Sequence, residues 1–231
     1  MIPPHSNEVN DVKRITTNSY GPGAKIVMLL AHGAGAPMDS NFMNLLADAL
    51  EKQGIAVVRF EFPYMTLRRA DGKKRPPDRM PVLLEAFRRE VEWFRQELPS
   101  DCVLVVAGKS MGGRVASLLA SEEGSGAAID AVICYGYPFH PPGKPDRWRT
   151  DHLPGVCCPL MMVQGTRDPF GKPDEIKARG AIAGVSRWCW LEGGNHDFQP
   201  LAKQPEQQAD LIELAARASR QFLDSVLVAS S

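Results

Sequence analysis

Continuous apolar runs alternate with helical stripes along most of this chain. Lys25 to Ala31 and Ile55 to Phe60 are almost wholly apolar, the pattern of strands covered on both faces of a parallel sheet. Between them, from about Asn41 to Gln53, Phe42, Leu45, Leu46, Ala49 and Leu50 recur on one helical face, with Asp39 or Ser40 placed to cap and Gly54 to stop the helix. A second helix, begun near Asp78 and Pro81 and ended at Leu98, carries Leu83, Leu84, Phe87, Val91, Phe94 and Leu98 at the same period. Further strands are predicted at Asp101–Val106, Ala131–Tyr135, Pro159–Gln164 and Arg187–Leu191, and an edge strand at Val12–Thr17. Helices are predicted from Val115 to Glu122, from Asp174 to Ala183 and from about Glu206 to Val228, the last with Leu211, Ala215, Ala218 and Phe222 on one stripe.

Three stretches break the alternation. Residues 1–10 read as disordered, and Gly21-Pro22-Gly23 as a turn. Glu61 to Arg79, with three prolines and a run of basic residues between Arg68 and Arg79, reads as a long loop. Gly136 to Val156, rich in Pro and Gly, reads as a small irregular excursion. With no internal repeat and no linker, residues 1–231 are expected to form a single α/β domain. Its sheet is mostly parallel, of about seven strands, with helices on both faces.

Composition narrows the partners. Lys+Arg 27 balances Asp+Glu 27, so nothing in the charge points to nucleic acid or an anionic membrane. No apolar run reaches membrane-spanning length, and the first residues lack the basic start and apolar core of a signal peptide. Five cysteines, an odd number without zinc-ligand spacing, fit free thiols in a reducing, cytoplasmic setting. Neither a metal nor an organic cofactor has a recognisable site.

The chemistry concentrates in loops that follow strands. Gly108-Lys109-Ser110-Met111-Gly112-Gly113-Arg114 lies at a strand-to-helix turn, where a serine hydroxyl stands clear of the sheet and the helix start aims N–H groups at any developing anion. Gly108 and Gly112, two residues either side of Ser110, leave room for the crowded backbone of such a turn. Asp168 follows a later strand and His196 the last one, giving the order Ser, acid, His. His196 would take the Ser110 proton, and Asp168 would hold the imidazole tautomer. The N–H groups of Met111 and of Ala34, or its neighbour Gly35, would bind the oxyanion. Asp197 reads as a turn-maker, Asp174 as a helix cap, and Lys109 and Arg114 as helix-surface charges. His32 reads as a brace for the oxyanion loop. With Gly35, Phe62, Tyr64 and Trp148 it is a candidate to line the pocket.

Ala31-His32-Gly33-Ala34-Gly35-Ala36, the Ser110 turn, Gly165-Thr166-Arg167-Asp168 and Gly194-Asn195-His196-Asp197 together resemble the α/β-hydrolase superfamily, over nearly the whole chain from about Lys25. Their flavour is similar to a subgroup without a large cap that includes bacterial proteins, a testis-expressed protein and the hydrolase-like domain of a histone-acetyltransferase complex subunit. The resemblance implies a serine hydrolase acting on a small-molecule ester or thioester through an acyl-enzyme. Because the subgroup includes scaffolds, the alternative is a non-catalytic binding protein of the same fold. Dehalogenase chemistry needs Asp where Ser110 stands, and dienelactone-hydrolase chemistry usually has Cys there.

Overall fold

β2 (Ile26–Ala31) and β4 (Val103–Lys109) pair in parallel at the centre of the sheet, from Ile26 opposite Val103 to Ala31 opposite Gly108, and every residue of both is buried. The computed structural model describes residues 13–21, 23–122 and 128–229, so the N-terminal ten residues and Pro22 of the expected turn lie outside it. β3 (Ala56–Phe60) and the short β1 (Arg14–Thr16) extend the sheet on one side. β5 (Ala131–Tyr135), β6 (Leu160–Gly165) and β7 (Arg187–Leu191) extend it on the other. The strand order is β1-β3-β2-β4-β5-β6-β7, with β1 alone antiparallel to its neighbour.

Both sheet faces are covered, which is why the strands read as unbroken apolar runs rather than alternating ones. Along β4, Val103, Val105 and Ala107 face the layer made by α1 (Asn41–Lys52) and α6 (Gln208–Ala229). Leu104 and Val106 face the other layer, with α3 (Met80–Glu97) and α4 (Met111–Ala120). Each fully buried Leu or Val contributes about 1.5–3 kcal/mol, so a sheet sealed on both sides is the main source of rigidity beneath the loops.

The stretch expected to be a loop at Glu61–Arg79 holds a helix, α2 (Pro63–Asp71). Pro63 opens it and Gly72, at φ 70°, closes it, the asymmetry that Pro and Gly favour at helix ends. Tyr64 and Met65 bury against the core, and a run of basic residues masked that short apolar face. Asp78 caps this helix rather than α3, because its Oδ2 accepts the Tyr64 N–H at 2.9 Å. Ser40 occupies the N-cap of α1 but its side chain makes no capping bond, and Asp39 instead accepts from Arg69 at 2.6 Å. α5 (Pro173–Arg179) stops short of the expected Ala183 because Gly180 adopts φ 90°. Its start is tied by Glu175, which accepts the Lys172 N–H at 2.8 Å, not by Asp174. The β5–β6 connection is irregular apart from one 3-10 turn at Leu153–Gly155.

Candidate active site

Three strands of this sheet end in loops that converge at its carboxyl edge. β4 leads directly into Ser110, whose backbone sits at φ 52° and ψ −113°, a strained conformation for a residue with a Cβ. The turn persists because neighbouring backbone holds it from both sides. The Ser110 N–H donates to the Tyr135 carbonyl at 2.9 Å, and its own carbonyl accepts the Arg114 N–H at 3.1 Å. The crowding inferred for the flanking glycines is physical. A Cβ on Gly108 would lie 2.2 Å from the Gly112 carbonyl carbon, and one on Gly112 would lie 2.6 Å from the Ala31 oxygen and 2.7 Å from the His32 oxygen.

The loops after β6 and β7 are clamped to each other. The Arg167 N–H donates to the Gly194 carbonyl at 2.9 Å, and the Gly193 N–H donates to the Thr166 hydroxyl at 2.8 Å. Asn195 Oδ1 accepts the N–H groups of Asp197 and Gln199, curling the chain so that His196 projects back over the sheet. This brings His196 Nε2 to 2.9 Å from Ser110 Oγ and His196 Nδ1 to 2.8 Å from Asp168 Oδ2. The Asp168 side chain is fully buried. It also accepts the Phe170 N–H at 2.9 Å and a Gln164 amide N–H at 2.9 Å. With Asp168 acting as acceptor, the imidazole proton sits on Nδ1, which leaves the Nε2 lone pair for the serine hydroxyl. The Phe170 ring lies 4.3 Å from the imidazole and fixes its plane.

The loop after β2 faces this serine and is braced from below. His32 is fully buried; its Nδ1–H donates to the Gly33 carbonyl at 2.7 Å and its Nε2 accepts the Phe62 N–H at 3.2 Å. One nitrogen donates and the other accepts, so the ring is neutral, and burial pushes its pKa down accordingly. The Tyr64 hydroxyl donates to the Gly33 and Ala34 carbonyls at 3.2 and 3.0 Å. With the loop carbonyls held on this side, the Ala34 region is fixed beside the start of α4, where Met111 supplies the first N–H of the helix.

A cavity of about 130 Å³ opens at this junction, lined by Gly33, Ala34, Ala36, Ser40, Phe42, Met43, Lys109, Ser110, His196 and Asp197. The expected wall differs. His32, Phe62 and Tyr64 are buried beneath the β2 loop and support it from inside, and Gly35 leaves the wall to its neighbours Ala34 and Ala36. Trp148 packs on Phe139 and His140, with the Arg179 guanidinium 4.8 Å above its ring, away from this wall. Phe42, Met43 and Lys109 were not anticipated. Lys109 is the last residue of β4 and continues the Val105–Ala107 face, so it points beneath α1 instead of lying on a helix surface. It is 6 % exposed, its Nζ lies 3.2 Å from Asp197 Oδ1 and 5.2 Å from the Phe42 ring centroid. Burial pushes its pKa below the usual lysine range, against the pull of Asp197 and Asp168.

A second Ser–His contact joins Ser117 Oγ and His152 Nε2 at 2.9 Å. Ser117 is fully buried and also contacts the Arg114 carbonyl at 3.1 Å, so this hydroxyl faces the interior. Burial and the neighbouring Arg114 push the His152 pKa down to about 4. Larger hollows, of about 390 and 450 Å³, lie by Trp188 and Trp190 and at the amino ends of β5, β6 and β7, and neither includes a residue of the Ser110 cluster. Among the described residues no helix is long and apolar enough to cross a membrane.

Comparison with known proteins agrees with this architecture. The structure is similar to that of an alpha-beta serine hydrolase homologue from Coxiella burnetii, with TM-score 0.65 and 20% identity over 90% of this chain and 91% of that one. Est1E from Butyrivibrio proteoclasticus gives TM-score 0.68 at 13% identity, covering 96% and 97% of the two chains. A dienelactone hydrolase from Anabaena variabilis gives 0.63 at 19% identity, covering 89% and 95%. At such identities the likeness speaks for the fold. A family model described as an alpha/beta hydrolase domain matches residues 24–224, from just before β2 to within α6. The chain therefore belongs to the alpha/beta hydrolase family.

Proposed function

We propose that this protein is a serine hydrolase that cleaves carboxylic esters or thioesters through an acyl-enzyme. The observation that carries the reading is the continuous chain from Ser110 Oγ through His196 to buried Asp168, at 2.9 and 2.8 Å. In this reading Ser110 attacks the carbonyl carbon while His196 Nε2 takes its proton. The tetrahedral oxyanion is held by the N–H groups of Met111 and Ala34, and His196 returns the proton to the leaving alcohol or thiol. Water, deprotonated by the same imidazole, then frees the acid and restores Ser110. Asp168 fixes the Nδ1–H tautomer and offsets the charge on the imidazolium. The strained serine turn favours the role, since backbone strain of about 1–3 kcal/mol persists where surrounding structure over-determines it.

Membership of the alpha/beta hydrolase family supports hydrolysis, and the Ser110–His196–Asp168 chain supports an ester or thioester as its target. The short β5–β6 connection supports placement in a cap-poor subgroup. Free cysteines, one of them the exposed Cys157, favour a reducing, cytoplasmic compartment.

Steady-state kinetics on short-chain esters and acyl thioesters test the proposal. Asp168→Asn is expected to lower kcat by on the order of 10⁴, and Ser110→Ala to remove enzymatic turnover. Hydrolysis unaffected by Ser110→Ala would leave the non-catalytic scaffold as the better account.

A further inference from the structure

We propose that Lys109 and the start of α1 make the cavity beside Ser110 an anion-binding subsite, so that the preferred substrates carry a carboxylate on a short arm near the scissile carbonyl. This rests on the serine-hydrolase reading and names a substrate class within it.

Two independent features of the cavity wall favour negative charge. The first is Lys109, whose ammonium carries three N–H donors. Among the described residues its ion-pair partner is Asp197, at 3.2 Å and 61% exposed, and the buried Asp168 adds a weaker pull from beyond ion-pair distance. Burying an ammonium is costly, and one mostly exposed partner with a second carboxylate beyond ion-pair distance returns only part of that cost. A structural ion pair alone would be served as well on the surface. The second is the amino end of α1. Ser40, Phe42 and Met43 line the cavity, the Ser40 side chain does not cap the helix, and no acidic residue occupies its first turn. The helix therefore presents uncapped N–H groups and a partial positive charge on the same side as the ammonium.

The remainder of the wall is small or apolar: Gly33, Ala34, Ala36, Phe42 and Met43. An arm of a few methylenes fits against it while the anion reaches Lys109. The cavity, about 130 Å³, is smaller than the hollows of about 390 and 450 Å³ elsewhere on the surface, and its small size suits a short arm. A bound carboxylate competes with Asp197 for the ammonium. That competition fixes the sign expected for substitutions at each position.

The test compares monomethyl succinate with methyl succinamate, and acetoxyacetate with acetoxyacetamide. Each pair is nearly isosteric and differs chiefly in charge; the first puts it on the acyl side and the second on the leaving side. In at least one pair the anionic member is expected to have at least a tenfold higher kcat/KM, expressed mainly in KM. Lys109→Met is expected to abolish that ratio and Asp197→Asn to raise it, opposite outcomes that a purely structural ion pair would not produce. Calorimetric titration with succinate gives a readout apart from turnover: millimolar binding to the wild type and to Ser110→Ala, lost in Lys109→Met. No charge preference in either pair, together with succinate binding unchanged in Lys109→Met, overturns the subsite. If no ester is turned over and Ser110 resists acylating probes, the hydrolase reading fails instead, while the titration still decides the anion site.

Discussion

Replacing Gly112 by Ala perturbs the reaction centre without touching any side chain assigned to it. The added methyl would sit 2.6 Å from the Ala31 carbonyl oxygen and 2.7 Å from that of His32, where 3.4 Å is an ordinary approach. Both obstacles are backbone, so they cannot rotate aside. The end of β2 and the loop after it must move by about 0.7 Å away from the helix that begins at Met111, which widens the gap between the Ala34 and Met111 N–H groups. Misplacement of about 1 Å costs roughly 10²-fold in rate, and loss of one oxyanion donor about 10²–10³-fold. A kcat lowered by roughly 30- to 100-fold with KM within threefold of wild type is therefore expected. Ala is the better helix former by about 1 kcal/mol and overpacking against fixed backbone costs about 1–3 kcal/mol, so the net loss is up to about 2 kcal/mol. The melting temperature should not rise, and should fall by up to roughly 8 °C for a chain of this size. Stopped-flow acylation and a calorimetric melt on the same preparation measure both effects. A kcat within twofold of wild type would refute the link between this close approach and the oxyanion geometry.

Other expectations concern the supports of the site. Tyr64→Phe removes the hydroxyl that holds the Gly33 and Ala34 carbonyls, and should lower kcat about tenfold and stability by about 1 kcal/mol, seen in kinetics and urea titration. Ser110→Gly relieves the strain at φ 52° and should raise stability by about 1 kcal/mol, net of the entropy cost of glycine, while removing activity. His152, with a pKa near 4 in the folded protein, binds a proton more readily once unfolded. The unfolded state therefore takes up more protons between about pH 6.5 and 4, and stability falls as pH drops through that window. Because the ring is only part buried, the loss should be about 1–2 kcal/mol after solvent screening, and melts of His152→Gln across that range should lack it.

Much of this architecture is legible because burial on both faces of the central strands forces continuous apolar runs, which mark where those strands lie though not where each one ends. Ser110, Asp168 and His196 could be read for the same reason: each follows a strand, and strand ends in a parallel sheet share one edge. What escaped depended on local competition. The helix Pro63–Asp71 was hidden because its buried face is short and its other face is basic, although Pro63 and Gly72 marked both ends. In sequence Asp78 looks like the start of the helix at Met80, since nothing there shows that it reaches across to the Tyr64 N–H. Lys109 lies inside because β4 runs to Lys109 rather than stopping at the expected Val106, and one step of strand alternation decides whether the lysine is outside or inside. Of the wall expected from His32, Gly35, Phe62, Tyr64 and Trp148, the aromatic character of His32, Phe62 and Tyr64 suggests lining. Full burial makes them the support of the β2 loop.

The central claim is that Ser110, alone among the described serines, is activated for attack. Reaction with a fluorophosphonate followed by peptide mass spectrometry measures this directly. The expected result is a single adduct on Ser110, slowed strongly in His196→Ala and absent in Ser110→Ala. A folded protein that forms no adduct, or one that forms it on Ser117 beside His152, would contradict the account.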